Sequence, residues 1–167
     1  MNILVSRLDP EGLPQQSAAR QTRKGGSDMT ERTRGRVQHI NPDGLTKNPA
    51  FSQAVVVTGP AKTIYVGGQD AVDGSGNIVG EGDIGRQTEQ VLKNIQTALA
   101  AAGADLGDVV KWNVYVVEGQ PLQAGFEAFM KVWGRRPNPP AITAAFVSGL
   151  ARPEFLVEID AVAVVEG

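Results

Sequence analysis

The sequence predicts an α+β fold: a two-layer sandwich with two helices on one face of a mixed β-sheet. Three observations carry that expectation. Apolar periodicity gives the element order β-β-β-α-β-α-β-β. Each helix separates two strands by enough chain for a right-handed crossover, so both can lie on one side. The last strand is apolar on both faces, yet two helices cover only one, so the second face is expected to pack against another copy of the chain.

Each element has a local reason. Arg36 to Ile40 is a short candidate edge strand, stopped by the turn cluster Asn41-Pro42-Asp43-Gly44. Ser52 to Thr58 is apolar and β-branched, and Gly59-Pro60-Ala61-Lys62 turns the chain into Thr63 to Gly68, which predicts an antiparallel hairpin. A Gly- and Asp-rich loop runs from Asp70 to Gly82. From about Ile84 to Ala102, apolar residues recur at spacings of three and four, with Asp83 as N-cap and Gly103 where a left-handed residue ends a helix. Val109 to Val117 reads as a strand buried on both faces. The second helix spans about Pro121 to Trp133, with Leu122, Phe126, Phe129 and Val132 or Trp133 as its stripe and Gly134 as its stop. After a proline-stiffened loop, Ala141 to Val147 and Leu156 to Val165 close the chain.

Composition bounds the function. The 167 residues are 41% apolar and 20% charged, ordinary for a globular protein whose core needs no covalent staples. Without cysteine there is no disulfide, thiolate metal site or cysteine nucleophile, and the single histidine, His39, rules out a multi-histidine metal cluster. No nucleotide fingerprint or metal-ligand spacing occurs, so no cofactor and no metal are expected. No apolar run nears the ~20 residues that span a bilayer, and the N-terminus lacks a signal peptide's apolar stretch. A cytoplasmic location, away from membranes, is expected.

Charge is unevenly distributed. Residues 1–36 hold seven Lys or Arg against four acids, whereas residues 37–167 hold nine against fourteen. The acidic remainder offers no footprint for nucleic acid. Residues 1–35 show no sustained period and are expected to be a disordered or misassigned extension, with a natural start near Met29 and a single domain over 36–167.

Few residues stand out chemically. Glu158 and Asp160 lie two apart on the last strand, sharing a face with Leu156 and Val162. Like charges on a largely apolar face would raise at least one pKa, which is how a general acid or base is made, whereas a face solvated near the strand start would leave both as ordinary surface acids. Gly67-Gly68 at a strand end permits close approach of a ligand to backbone amides, or marks a bulge with no ligand. Arg135 and Arg136 flank the proline loop, where they could hold an anion or simply be solvated. His39, among polar residues, reads as a surface or packing histidine.

Seven blocks carry a resemblance. They are Asn48-Pro49-Ala50-Phe51-Ser52-Gln53-Ala54; Gly67-Gly68-Gln69; Gly82-Asp83-Ile84 with Gln87-Thr88 and Val91-Leu92-Lys93-Asn94-Ile95; Ala101-Ala102-Gly103 with Asp108-Val109-Val110-Lys111; Phe126-Glu127-Ala128-Phe129; Pro140-Ala141; and Val157 to Val164. In this order, over about 115 residues, the chain resembles the RidA/YjgF family, also known as endoribonuclease L-PSP-like proteins. The resemblance implies a chorismate-mutase-like fold, a homotrimer and small-molecule pockets between subunits. It also implies a hydrolytic deaminase that converts reactive enamine or imine intermediates to a 2-oxo acid and ammonia.

Carried over position by position, the resemblance places an aromatic pocket cap at Phe51, without the usual hydroxyl. The family's serine before Gly-Gln becomes Gly67, followed by Gly68, and its asparagine on the second helix becomes Gln123. Its water-placing glutamate is Glu158. The substrate-gripping arginine after Pro-Ala is replaced by Ile142, and the position two further on, often cysteine, is Ala144. A charge-assisted hydrogen bond to a carboxylate contributes about 1.5–3 kcal/mol, and isoleucine supplies none. The pocket therefore suits a neutral or less charged ligand, unless Arg135, Arg136 or Arg152 substitutes from the adjoining loops. The readings that follow are a deaminase acting on an enamine, imine or related small C–N compound, and a non-catalytic small-molecule-binding or regulatory trimer. A ribonuclease is disfavoured by the acidic charge and scarce stacking residues.

Overall fold

A computed structural model describes residues 35–167. The expected N-terminal extension therefore lies, up to residue 34, outside the described residues. Gly35 is buried against the Pro60 carbonyl.

Among the described residues, six strands and two α-helices follow in the expected order: β1 (Arg36–Ile40), β2 (Ala54–Thr58), β3 (Ala61–Gln69), α1 (Ile84–Ala101), β4 (Val109–Val117), α2 (Leu122–Trp133), β5 (Ala141–Val147) and β6 (Val157–Glu166). Strands β3 to β6 form one mixed sheet in the order β3-β6-β4-β5. The β4–β5 pair is parallel and the other two pairs are antiparallel. The crossover through α2 thus joins neighbours, whereas the crossover through α1 joins two strands split by β6.

One expected pairing does not form. β2 pairs antiparallel with β1, with Val37 opposite Val57, and β3 pairs with β6 instead. The two-residue link Gly59-Pro60 has Gly59 at φ +75°, and it turns the chain from one sheet into the other rather than closing a hairpin. A run of β-branched residues marks a strand without naming its partner.

α1 matches its sequence signals. The Asp83 side chain accepts from the Arg86 amide at 3.0 Å, and Gly103 takes φ +69° after the last turn. Within its stripe, Val91, Leu92, Ile95 and Leu99 are wholly buried. Gln87 is buried with it, donating to the Glu154 carbonyl at 2.8 Å and accepting from the Leu156 amide at 2.8 Å, which anchors the entry to β6.

β4 is less symmetric than its apolar run suggests. Trp112 and Val116 are buried, whereas Lys111, Asn113 and Tyr115 are half-buried. A bulge between Val109 and Lys111 brings Val109 into the same core. Trp112 meets Phe129 and Trp133 of α2 edge-on, ring centroids 5.8 Å apart in each case. Val157, Ile159, Ala161 and Ala163 complete this helix-side core. On the opposite sheet face Tyr65 is 80% exposed and Glu158, Asp160 and Val162 are half-buried.

Candidate functional site

The cavity grows out of α2. Its sequence stripe is too wide for the core beneath it, so only Ala128 and Trp133 of the helix are buried. Leu122 and Phe126, 49% and 53% exposed, project instead over a cavity of about 600 Å³. The floor is Val114, Val116, Val157 and Ile159 from the sheet, and one wall is Ile142 and Ala144 from β5. Asn48, Ala50 and Phe51 add to the lining.

The loop carrying Phe51 is fixed by hydrogen bonds. The Ser52 amide donates to the Pro140 carbonyl at 3.0 Å, and the Ser52 hydroxyl donates to the Pro139 carbonyl at 2.6 Å. His39 Nδ1 lies 2.9 Å from the same carbonyl and 3.2 Å from Ser52 Oγ. His39 is thus a clamp between β1 and the proline loop, in keeping with a packing role.

Four of the sequence-derived site residues meet here: Phe51, Gln123, Ile142 and Ala144 all line the cavity. The other three do not. Strand register explains why. Ile142 stands opposite Trp112, and Trp112 opposite Ala161, all on the helix side. Glu158 stands opposite Tyr115, one residue out of phase, so its side chain leaves the other face of the sheet. Gly68 is with it: a Cβ there would lie 2.1 Å from Glu158 Oε1, so glycine is what lets the carboxylate reach the strand. Gly67 is exposed, and a Cβ there would meet open space.

Among the described residues, no charged side chain lines the cavity. The three arginines considered as substitutes are placed elsewhere within the chain. Arg135 is exposed. Arg136 lies over the Trp133 ring at 4.9 Å and donates to the Trp133 carbonyl. Arg152 sits 3.5 Å from Glu154 and 5.4 Å from the Phe155 ring. Asp160, the other acid of the last strand, accepts from the Asn113 amide group at 2.8 Å.

Sequence reasoning misses two kinds of residue. Leu122, Phe126 and Phe129 read as core, and only the excess width of their stripe could mark a cavity. Asp70, two residues after Gly68, carries no signal; its Oδ1 is buried and meets no donor among the described residues.

A mixed sheet with a split β-α-β unit and a cleft beside α2 defines the class of protein. Comparison with known proteins then gives the family. The pattern described as Endoribonuclease L-PSP matches residues 45–165. A RutC family protein of Pyrococcus abyssi is 35% identical over 113 residues, covering 68% of this chain and 84% of that protein. Human 2-iminobutanoate/2-iminopropanoate deaminase is 33% identical over 114 residues, covering 68% and 79%. The crystal structure of YyfB of Yersinia pestis, of the conserved Rid family, superposes with a TM-score of 0.68 at 34% identity, covering 77% of this chain and 98% of that one. The chain belongs to the RidA/YjgF, or endoribonuclease L-PSP, family.

Proposed function

We propose that this protein is a Rid-type hydrolytic deaminase for an enamine, imine or related small C–N compound without a free carboxylate beside the reacting carbon. Its site lies between subunits of a homotrimer. The observation that carries this reading is the uncharged cavity: Ile142 and Ala144 stand in its wall, with Gln123 and Asn48 as its uncharged amide groups. A carboxylate buried there would lose its hydration and gain no cation. Deaminase relatives such as the human protein support the reaction class.

Glu158 leaves the opposite sheet face, so the reading needs a second copy to bring a glutamate to each cavity. There the carboxylate takes a proton from water while the water oxygen bonds to the C=N carbon and the π pair moves to nitrogen. Glu158 returns that proton to nitrogen, giving a carbinolamine. It then accepts the hydroxyl proton and passes it to the nitrogen as the C–N bond breaks, so that nitrogen leaves as ammonia and Glu158 is again a carboxylate. One water is consumed, and a carbonyl compound and ammonia are released. Backbone groups near Gly68 and Ala144 position the substrate.

Ammonia release from a panel of amine- and amino-acid-derived imines tests this. Turnover of uncharged members, reduced about 100-fold or more by Glu158→Gln, is expected for loss of a general base. Turnover of none, together with saturable binding of an uncharged ligand, would instead establish the non-catalytic binding protein, which the separation of Glu158 from the cavity within one chain also accommodates.

A further inference from the structure

The cavity has a size and a distribution of polar atoms that a missing cation does not explain. Its volume of about 600 Å³ falls where drug-sized ligands bind, far above the needs of an imine as small as 2-iminopropanoate. Burial divides its lining in two. Ile84, Val116, Val157 and Ile159 are buried beneath it. Asn48 and Gln123 are exposed, so the amide groups stand on its solvent side. The polar side chains are also partly engaged. Asn48 Oδ1 accepts from the Ala50 amide, the Gln123 side-chain nitrogen donates to Glu127, and the buried Thr88 hydroxyl donates to the Ile84 carbonyl, each at 2.8 Å. What Asn48 and Gln123 offer a ligand is one amide donor and one carbonyl acceptor. An imine fits that pair, its nitrogen lone pair accepting from Asn48 and its N–H donating to Gln123.

The apolar part of the lining is rigid in one place and uncovered in another. Phe129 is held by Trp112, edge-on at 5.8 Å, and by Trp133, stacked at 6.1 Å. Leu122 and Phe126 lie on the same helix and line the same cavity, yet about half of each is exposed. Only an apolar occupant takes their surface out of water without stranding a polar group. Gly125, between them and Phe129, widens the space. It lies within α2 with a negative φ, where glycine is less favourable than alanine. A Cβ there would meet Ile84 Cδ1 at 3.4 Å and Thr88 Oγ1 at 3.5 Å, which are ordinary contacts. Packing therefore tolerates a side chain at 125, and its absence leaves a niche in the cavity lining.

We propose that the cavity selects imines whose substituent on the reacting carbon is bulky and apolar, of benzyl size, and that Gly125 sets the room for it. The apolar group lies on the floor against Phe129 and the Gly125 niche, and the C=N end stays at the Asn48 and Gln123 amides. The inference rests on the deaminase reading for the imine, but the preference for a large apolar group stands apart from that reading. A neighbouring copy then closes the solvent side, where the reacting carbon lies, and leaves the floor to the ligand.

Binding tests the preference without chemistry. Methyl ketones carrying a methyl, an isobutyl or a benzyl group represent the carbonyl product, and calorimetry on the full chain gives their dissociation constants. The benzyl ketone should bind at least about tenfold more tightly than the methyl ketone, with the isobutyl compound between them. Gly125→Ala, a change that favours the helix, should lower the benzyl-to-methyl ratio about threefold or more by filling the niche. Equal constants across the series, or no binding of the benzyl ketone, would overturn the proposal by showing that a neighbouring chain and not a ligand fills the floor. An unchanged ratio in Gly125→Ala would overturn the role of Gly125. The matching imines should then show kcat/KM in the same order. Equal kcat/KM for all three would refute the apolar selection and leave the deaminase intact. Ordered ketone binding with no imine turned over would refute the deaminase and uphold the apolar site.

Discussion

At the scale of single residues, two aspartates only three positions apart respond to pH in opposite senses. Asp70 binds its proton more tightly in the folded chain. Its contribution to stability is therefore full below the ordinary value of 3.8 and is lost as pH rises through the raised folded value. Asp70→Asn should raise Tm at neutral pH, and the gain should vanish below that ordinary value; a Tm lowered at neutral pH would contradict this. Asp73 is held below the same ordinary value by hydrogen bonds from Asn77 and Ser75. Its contribution is present above 3.8 and disappears as pH falls through the lowered folded value. Asp73→Ala should accordingly destabilise the 73–77 turn at neutral pH and have little effect at strongly acidic pH, as read by amide exchange across the turn.

At the scale of elements, the two helices divide the work. Leu92 of α1 is fully buried, and Leu92→Ala is expected to cost about 2–5 kcal/mol, measured by denaturant unfolding. Phe126 of α2 is half in solvent over the cavity. Phe126→Ala should change stability far less than Leu92→Ala while weakening ligand binding, and equal losses of stability would show Phe126 to be core. The same contrast explains what is legible in the sequence. α1 can be read almost to the residue because its stripe, its Asp83 cap and Gly103 all report on local geometry. The stripe of α2 is equally visible, but an apolar face looks the same whether it covers a core or a ligand. The partner of β2 is not legible either, since strand pairing depends on a short link, Gly59-Pro60, that could close a hairpin or carry the chain from one sheet to another. Most of the cavity wall is reached through Phe51, Gln123, Ile142 and Ala144. The separation of Glu158 from that wall is encoded in register, which period-two patterns leave open until the strands are paired.

At the scale of the whole molecule, the cavity and Glu158 lie on opposite faces of one sheet, and the proposed function joins them through a second copy. Light scattering is expected to give a particle about three times the 17.6 kDa chain. Composite sites can also be tested by mixing chains. Glu158→Gln spoils the acid face and Ala144→Trp fills the cavity, so each homo-oligomer should be inactive. Co-assembled chains should recover about a quarter of the sites, because random mixing pairs an intact cavity with an intact glutamate that often. No recovery from demonstrably mixed oligomers would show that the two faces do not serve one site.

The most direct measurement concerns position 142: hydrolysis of 2-iminopropanoate and of an uncharged imine, compared in the wild type and in Ile142→Arg. The wild type should act on the uncharged compound and scarcely on the acid, and the arginine should reverse that order by supplying the missing charge-assisted contact. Wild-type hydrolysis of 2-iminopropanoate as efficient as that of the uncharged compound, or an arginine variant with unchanged preference, would contradict the view that the charge of this cavity wall selects the substrate.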